Sequence, residues 1–172
     1  MRYAVIDLET TGFSPTSDAV VEMACVLIEQ RRIIGTWSTL VNPRRPIPEH
    51  ATRVHGITDA DVAFAPPFEL AERMLHRQCR GATVVAHNAS FDLGFLPRLQ
   101  PLPSLCTVRL ARRAFPNAPN YRNQTLREYL QLNRDPMLAG SPAHRALGDA
   151  MVTAALLVRC LDVVAPEDRS IA

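Results

Sequence analysis

Apolar runs separated by polar breaks predict strands in the first part of the chain. Residues 3–8 form a short apolar run that predicts a buried strand. Residues 20–28 and 33–41 are two further apolar stretches rich in β-branched side chains, and the polar residues 29–32 between them suit a hairpin connection. Residues 42–48 are proline-rich and predict a turn. The chain therefore opens with three predicted strands, and the hairpin makes at least one of them antiparallel.

After residue 48 the pattern predicts helices that alternate with strands. Two short apolar runs, at residues 82–86 and 105–107, predict a fourth and a fifth strand. Helical spacing predicts helices at residues 48–53, 67–77, 91–99, from 107 to 113, at 126–132 and at 144–163. This succession predicts an α/β fold in which helices cover both faces of a five-stranded mixed sheet.

Composition and charge are those of an ordinary globular protein. The 172 residues suit one domain, and 47% of them are hydrophobic and 21% charged. The net charge of +2 is nearly balanced. A protein that neutralises many phosphates at once is usually more basic, so any contact with nucleic acid should be short and local.

Cysteine usage and hydropathy bear on the cellular compartment. The cysteines lack the spacing of a metal site, which indicates a reduced protein; they are Cys25, Cys79, Cys106 and Cys160. Strand-like sequence begins at Tyr3, so no leader is expected. No apolar run approaches the ~20 residues that span a bilayer. We expect a cytoplasmic protein that does not contact a membrane.

Two acids at the end of the first predicted strand are unusual for a buried element. Asp7 and Glu9 alternate along the strand and therefore point to the same face. A buried carboxylate costs several kcal/mol unless it is paired, and a like charge beside it adds to the cost. A divalent cation between them would remove the penalty. The alternative is that Glu9 caps the loop while Asp7 accepts bonds from backbone donors.

Two further acids lie where the predicted helices meet the sheet. Asp92 follows a strand-to-helix junction, where α/β proteins place sites, although acids also favour helix N-termini for electrostatic reasons. Asp149 lies in a helix that has almost no polar face, and Gly148 beside it favours close packing on the sheet. The alternative for Asp149 is a surface ion pair with Arg145.

His144 is the histidine with the best position for catalysis. It precedes Asp149 by five residues at the start of the last predicted helix. Ser141 and Pro142 can themselves begin the helix, and this would place His144 inside its first turn. The alternative is an ordinary surface histidine.

Four motifs, in order along nearly the whole chain, resemble the DnaQ-like (DEDDh) exonuclease family, which includes the proofreading subunit of bacterial DNA polymerase III. They are VIDLETTG at residues 5–12, VHGI at 54–57, AHNASFD at 86–92 and HRALGDA at 144–150. The histidine five residues before the last aspartate is typical of the histidine branch. One position departs from the family pattern: His50, with Glu49 beside it, stands where the family often has a glutamate. The departure bears on recognition of the 3′-terminal sugar.

The resemblance implies an RNase H-like fold and two-metal hydrolysis of phosphodiesters. The implied ligands of the two Mg²⁺ or Mn²⁺ ions are Asp7, Glu9, Asp92 and Asp149. His144 would accept a proton from the attacking water, because an imidazole has an ordinary pKa of about 6.5. The implied substrate-binding residues are Thr10, Val54, His55, Ile57, His87, Asn88 and Phe91; for Phe91 a place in the core, and for Asn88 a helix cap, are the structural alternatives.

Other polar residues have mainly structural interpretations. Arg112 and Arg113 can contact phosphates, although a solvated helix face is the commoner explanation. Glu22 is interpreted as structural.

The expected function is a 3′→5′ exonuclease that releases 5′-mononucleotides from single-stranded DNA. One alternative is an exoribonuclease of the same family that acts on RNA ends or short oligoribonucleotides. The second is a non-catalytic module that binds nucleic acid or a polymerase. We expect an exonuclease domain at residues 1–164 and a short tail at 165–172, with no segment that tethers a polymerase. A stand-alone enzyme in repair or turnover follows, and the choice between monomer and homodimer stays open.

Overall fold

The computed structural model describes residues 1–132, 138 and 144–165. The strands are β1 (Arg2–Thr10), β2 (Val20–Glu29), β3 (Arg32–Leu40), β4 (Thr83–Ala86) and β5 (Ser104–Cys106). The helices are α1 (Glu49–His55), α2 (Asp59–Val62), α3 (Phe68–Gln78), α4 (Ala89–Phe95), α5 (Thr107–Ala114), α6 (Asn123–Tyr129) and α7 (Ala146–Val164). No described helix combines the length and the apolar composition that crossing a membrane requires. The predicted tail lies almost wholly outside the described residues.

The five strands form one mixed sheet in the order β3-β2-β1-β4-β5. β2 pairs antiparallel with β1 and with β3, whereas β4 is parallel to both β1 and β5. Gln30 and Arg31 close the β2–β3 hairpin with positive φ angles of 48° and 62°, as a tight two-residue turn requires. The carboxyl ends of β1, β4 and β5 therefore lie at the same edge of the sheet.

Alternate residues of β1 face two different helical layers. Ile6 and Leu8 pack with residues of α3 and α4 on one face of the sheet. Val5 packs on the opposite face against Ala146, Ala150 and other residues of α7. α5 and α6 pack against the outer side of α7. The prediction of an α/β fold with helices on both faces of a five-stranded mixed sheet is confirmed.

The observed boundaries depart from the predicted ones at three helices. α4 ends at Phe95, so the predicted helix to Leu99 is too long. α6 begins at Asn123 and ends at Tyr129, about three residues earlier than predicted. α7 begins at Ala146 and not at His144, whose φ of 57° is left-handed. The prediction that His144 lies inside the first turn is therefore wrong, and Ser141 and Pro142 lie outside the described residues.

Candidate active site

The carboxyl end of β1 carries two of the predicted site residues. Asp7 and Glu9 have the same parity along the strand as Val5 and therefore face the α7 side of the sheet. Their partners across the β1–β2 ladder are Ala24 and Glu22. The local structure is an ordinary strand, and its two acids point toward the helix that carries Asp149.

Small residues bring α7 close enough to the sheet for Asp149 to join this pair. Ala146, Gly148 and Ala150 are all buried at the start of the helix. One oxygen each from Asp7, Glu9 and Asp149 lies within 4.8 Å of the other two. Such spacing suits three oxygens that share a divalent cation.

Asp92 reaches the same region from α4, on the other side of β1. Its side chain is buried in the first turn of the helix. The backbone of Asp92 itself and of Leu8 provides hydrogen bonds that favour the ionised carboxylate. The charge of Asp92 nevertheless raises the pKa of Asp7, which indicates that the two groups are close.

Burial and mutual repulsion disfavour the ionised form of the four acids in the absence of a positive partner. Burial and the neighbouring acids raise the pKa of Asp7 well above its usual value. Burial raises the pKa of Glu9 to about 7 and that of Asp92 to about 8, in each case with a contribution from another acid. Burial also raises the pKa of Asp149. Carboxylate oxygens at this spacing fit Mg²⁺ or Mn²⁺, both of which prefer oxygen ligands.

His144 lies directly before α7 and is exposed to solvent. Its charge and its backbone lower the pKa of Asp149, which places it beside the acids. The next residue, Arg145, is extended, with a φ of −135°. The imidazole of His144 is therefore accessible to solvent.

An ion pair between the buried Glu22 and the partly exposed Arg145 fixes the backbone next to His144. Glu22 accepts bonds from Arg145 Nε at 3.0 Å and Nη2 at 2.7 Å, and from the backbone N–H of Ala146 at 2.9 Å. Arg145 therefore pairs with Glu22 and not with Asp149, so the alternative considered for Asp149 is wrong. The carboxylate also replaces a side-chain cap at the start of α7, which explains why the helix begins at Ala146.

A cavity of about 200 Å³ opens beside Glu9 between β1, the loop after it, α1 and α4. It is mainly apolar, with a few polar groups at its wall. An apolar wall with a few polar groups is typical of a ligand-binding pocket. The lining residues are Leu8, Glu9, Thr10, Gly12, Phe13, His50, Ala51, Val54, His55 and Phe91.

The structure brings four of the seven predicted substrate-binding residues to this cavity. Thr10, Val54, His55 and Phe91 line it, and the side chain of Val54 is 60% exposed. Burial lowers the pKa of His55, whose Nδ1 accepts a bond from the backbone N–H of Ile57 at 3.0 Å.

The other three predicted residues do not line the cavity. Ile57 is 2% exposed and packs in the core. The neutral ring of His87 donates from Nε2 to the carbonyl of Tyr121 at 2.9 Å and accepts at Nδ1 from the hydroxyl of Thr107 at 2.9 Å. Burial lowers the pKa of His87. Asn88 occupies the N-cap position of α4 in a left-handed conformation, without a side-chain capping bond.

Three residues near the site had no signal strong enough to be predicted. Gln124 donates from Nε2 to Asp149 Oδ1 at 3.1 Å, a contact between residues 25 positions apart. Phe13 lines the cavity while 87% exposed, and only its place after Gly12 could have indicated it. His50, noted in the sequence as a departure, also lines the cavity. A larger cavity of about 410 Å³ lies between the 15–20 loop, α3 and the end of α4, and none of the four clustered acids lines it.

An RNase H-like α/β sheet with clustered acids at the carboxyl ends of its central strands defines a class of nucleases. The RNase_T model, described as exonuclease, matches residues 4–157. The chain is 40% identical to a "DNA polymerase III subunit epsilon-like protein" of Rhodobacter capsulatus, over 94% of this chain and 24% of the relative. It is 39% identical to "Exodeoxyribonuclease 10" of Escherichia coli, over 90% of this chain and 66% of the relative. The chain therefore spans less than two thirds of the length of these relatives.

Solved structures agree with the sequence relatives. A structure of exonuclease X in complex with 5′ overhanging duplex DNA matches with a TM-score of 0.79 and 37% identity, over 95% of this chain and 92% of that chain. The chain belongs to the RNase_T exonuclease family, and the predicted resemblance to DnaQ-like exonucleases is confirmed.

Proposed function

We propose that this domain is a 3′→5′ exonuclease that removes 5′-mononucleotides from single-stranded DNA. The observation that carries the proposal is the small cavity that opens directly beside the clustered acids, with Glu9 in both. A pocket of this size accepts one terminal base and sugar and excludes a base pair. Cleavage beside such a pocket occurs one nucleotide from an end, which is the action of an exonuclease.

Asp7, Glu9, Asp92 and Asp149 would hold divalent ions, and their raised pKa values are the reason that cations fit. Two such ions, when bound, stabilise the attacking and leaving oxygens of an in-line displacement. The side chains themselves contribute orientation. Gln124 holds one oxygen of Asp149, and the backbone of Leu8 holds Asp92.

His144 accepts the proton of the attacking water at an unprotonated ring nitrogen. The exposed imidazole beside Asp149 meets the requirement that a general base reach both solvent and the scissile bond. The ion pair between Glu22 and Arg145 holds the backbone next to His144, which fixes the point from which the His144 side chain extends. His144 and the acids therefore have separate tasks.

The wall of the cavity provides contacts to the terminal nucleotide. Phe91 and the exposed Phe13 offer aromatic surfaces on which a base can stack. His50 offers a polar ring where a ribose or deoxyribose would lie. One relative is named exodeoxyribonuclease 10, and the exonuclease X structure is a complex with DNA. Both observations favour DNA as the substrate.

The test uses a single-stranded DNA oligonucleotide labelled at its 5′ end and an RNA of the same sequence. Wild type, Asp7→Ala and the control Glu69→Ala would be incubated in Mg²⁺, in Mn²⁺ and in EDTA. Glu69 is an exposed acid on α3, on the other face of the sheet, and so controls for loss of one charge. We expect a ladder that shortens from the 3′ end, absent in EDTA and in Asp7→Ala. Faster degradation of RNA would overturn the DNA preference, and intact substrates with every metal would favour a binding module.

A further inference from the structure

The positive charge of this nearly neutral chain is concentrated in one segment. The 35 residues 93–127 contain six arginines and neither aspartate nor glutamate. Residues 1–92 instead contain nine arginines and eleven acids. A stretch of one sign in an otherwise balanced protein is the electrostatic mark of an anionic partner.

Three arginines of this segment form one exposed face of α5. Arg109, Arg112 and Arg113 are spaced i, i+3 and i+4, so they project from the same side of the helix, and all three are exposed. No ion pair joins any of them to an acid within the part of the chain that the structure describes. We call these three residues the arginine face.

Contacts connect the arginine face to the candidate active site. The guanidinium of Arg112 lies over the ring of Tyr121, 5.5 Å from its centre. The carbonyl of Tyr121 accepts the bond from His87, at the end of β4. α6 then provides Gln124, whose Nε2 donates to Asp149 Oδ1 at 3.1 Å. The basic segment therefore borders the acid cluster.

The nucleotide cavity and the basic segment adjoin different acids of this cluster. Glu9 lines the cavity, whereas Asp149 contacts α6. A strand whose terminal nucleotide fills the cavity has its scissile phosphate at the acids. The nucleotides before that phosphate then continue toward α6 and α5.

We propose that the arginine face binds backbone phosphates of the substrate strand on the 5′ side of the scissile bond. The proposal rests on the proposed exonuclease function and specifies where the strand runs. Guanidinium groups recognise phosphate oxygens through paired hydrogen bonds, independently of base identity. The partner is one single strand, because the cavity beside Glu9 is small and suits one terminal nucleotide.

The experiment compares three triple variants with wild type. R109Q/R112Q/R113Q removes the charge of the arginine face, and R109K/R112K/R113K keeps the charge. R73Q/R77Q/R80Q removes three exposed arginines from α3 and the residues after it, on the opposite face of the sheet. Thermal melts establish that each variant is folded.

Binding is measured first, in EDTA, so that the result does not depend on catalysis. The probe is a fluorescent single strand of about 16 nucleotides, titrated at salt concentrations between about 50 and 200 mM. The α5 glutamine variant should bind at least about tenfold more weakly at low salt, and its salt slope should be smaller by about 2, because each phosphate contact contributes about 0.7. The lysine and α3 variants should keep the wild-type slope. An unchanged slope in the α5 glutamine variant would overturn the proposal.

Two further arms separate this proposal from the proposed function. The ratio of kcat/KM for the long strand to that for a dinucleotide should fall on the order of tenfold in the α5 glutamine variant. An equal loss on both substrates would contradict a role in binding the upstream strand. Loss of affinity for a blunt duplex but not for the single strand would contradict the choice of partner. A wild type that binds the strand through α5 but degrades nothing would refute the exonuclease and keep the binding surface.

Discussion

Two sets of buried acids in this domain differ in what neutralises them. Glu22 and Glu72 each pair with an arginine side chain and also accept a hydrogen bond from a backbone N–H. For Glu22 the partners are the Arg145 side chain and the N–H of Ala146. For Glu72 both partners belong to Arg98, its side chain and its own backbone N–H. Among the described residues no such ion pair reaches the four acids at the ends of β1, α4 and α7, and burial raises their pKa values. Burial of an acidic side chain is therefore not sufficient to identify a functional site.

This difference separates acids that hold structural elements together from acids that are available for catalysis. An acid with a built-in cation holds two elements together, as Glu22 holds β2 to α7. An acid cluster without one is costly until a cation from solution occupies it. Substitutions in the two sets should consequently have opposite effects on the stability of the metal-free protein.

The largest expected effect comes from removing one acid of the cluster. Asp7→Asn should lower kcat by at least about 10³-fold, since metal-assisted charge stabilisation contributes several kcal/mol and each 1.36 kcal/mol is tenfold. Single-turnover degradation of labelled DNA in Mg²⁺ measures it. Glu72→Gln is the matched control among buried acids, and folded molecules of that variant should keep their activity. Equal activity of Asp7→Asn and Glu72→Gln would contradict the distinction between the two sets of buried acids.

The next effect in size is that of the proposed general base. His144→Asn should lower kcat about 10²- to 10³-fold and leave KM and metal affinity nearly unchanged, because the exposed ring holds neither the cluster nor the fold. Steady-state kinetics over a series of DNA concentrations would show it, as a lower kcat at a nearly unchanged KM. A variant with full kcat would contradict the assignment of His144.

Removing an anchoring acid should destabilise the fold. Glu22→Gln leaves the Arg145 guanidinium and the Ala146 N–H with a weaker acceptor, so the free energy of unfolding should fall by about 1–3 kcal/mol. Arg145 is 42% exposed, which limits the loss through solvent screening. Urea unfolding at neutral pH measures this, and an unchanged or higher stability would contradict the anchoring role.

Neutralising a cluster acid should have the opposite sign. The pKa of Asp92 is about 8 in the folded protein against 3.8 ordinarily, so the folded state binds more protons between those values. The contribution of Asp92 to the stability of the metal-free protein should therefore fall as pH rises from about 4 to 8. Asp92→Asn should weaken this slope and raise stability at pH 8 by on the order of 2 kcal/mol. Melting curves of wild type and Asp92→Asn in EDTA over the pH range measure it; an identical pH dependence in the two proteins would refute the raised pKa.

Much of the fold could be predicted because local pattern decides it. Apolar runs bounded by turn residues located all five strands, and the small residues around Gly148 indicated a closely packed helix. The helix from Asp59 to Val62 was missed, because four residues give too short a period to detect. The end of α4 was misplaced because Leu96 and Leu99 are buried from non-helical turns, where spacing alone resembles a helix.

For the candidate site, the sequence identified which residues come together but not what holds them. The structure brings Asp7, Glu9 and Asp149 within 4.8 Å of one another, and their catalytic roles stay predictions. The pairing of Glu22 with Arg145 joins residues 123 positions apart, and no local pattern encodes such a contact. The start of α7 could not be predicted for the same reason, because it depends on the Glu22 carboxylate, which is distant in the sequence.

The most direct test of the central claim is the titration of Mn²⁺ into the wild-type protein by calorimetry, with 5′-TMP present. The account predicts about two ions bound per chain and a heat that changes with the buffer, because cation binding must displace protons from acids whose pKa values are near 7 and 8. Asp149→Asn should abolish at least one of these binding events. Absence of binding in the wild type would contradict the claim that these acids form a metal-dependent nuclease site.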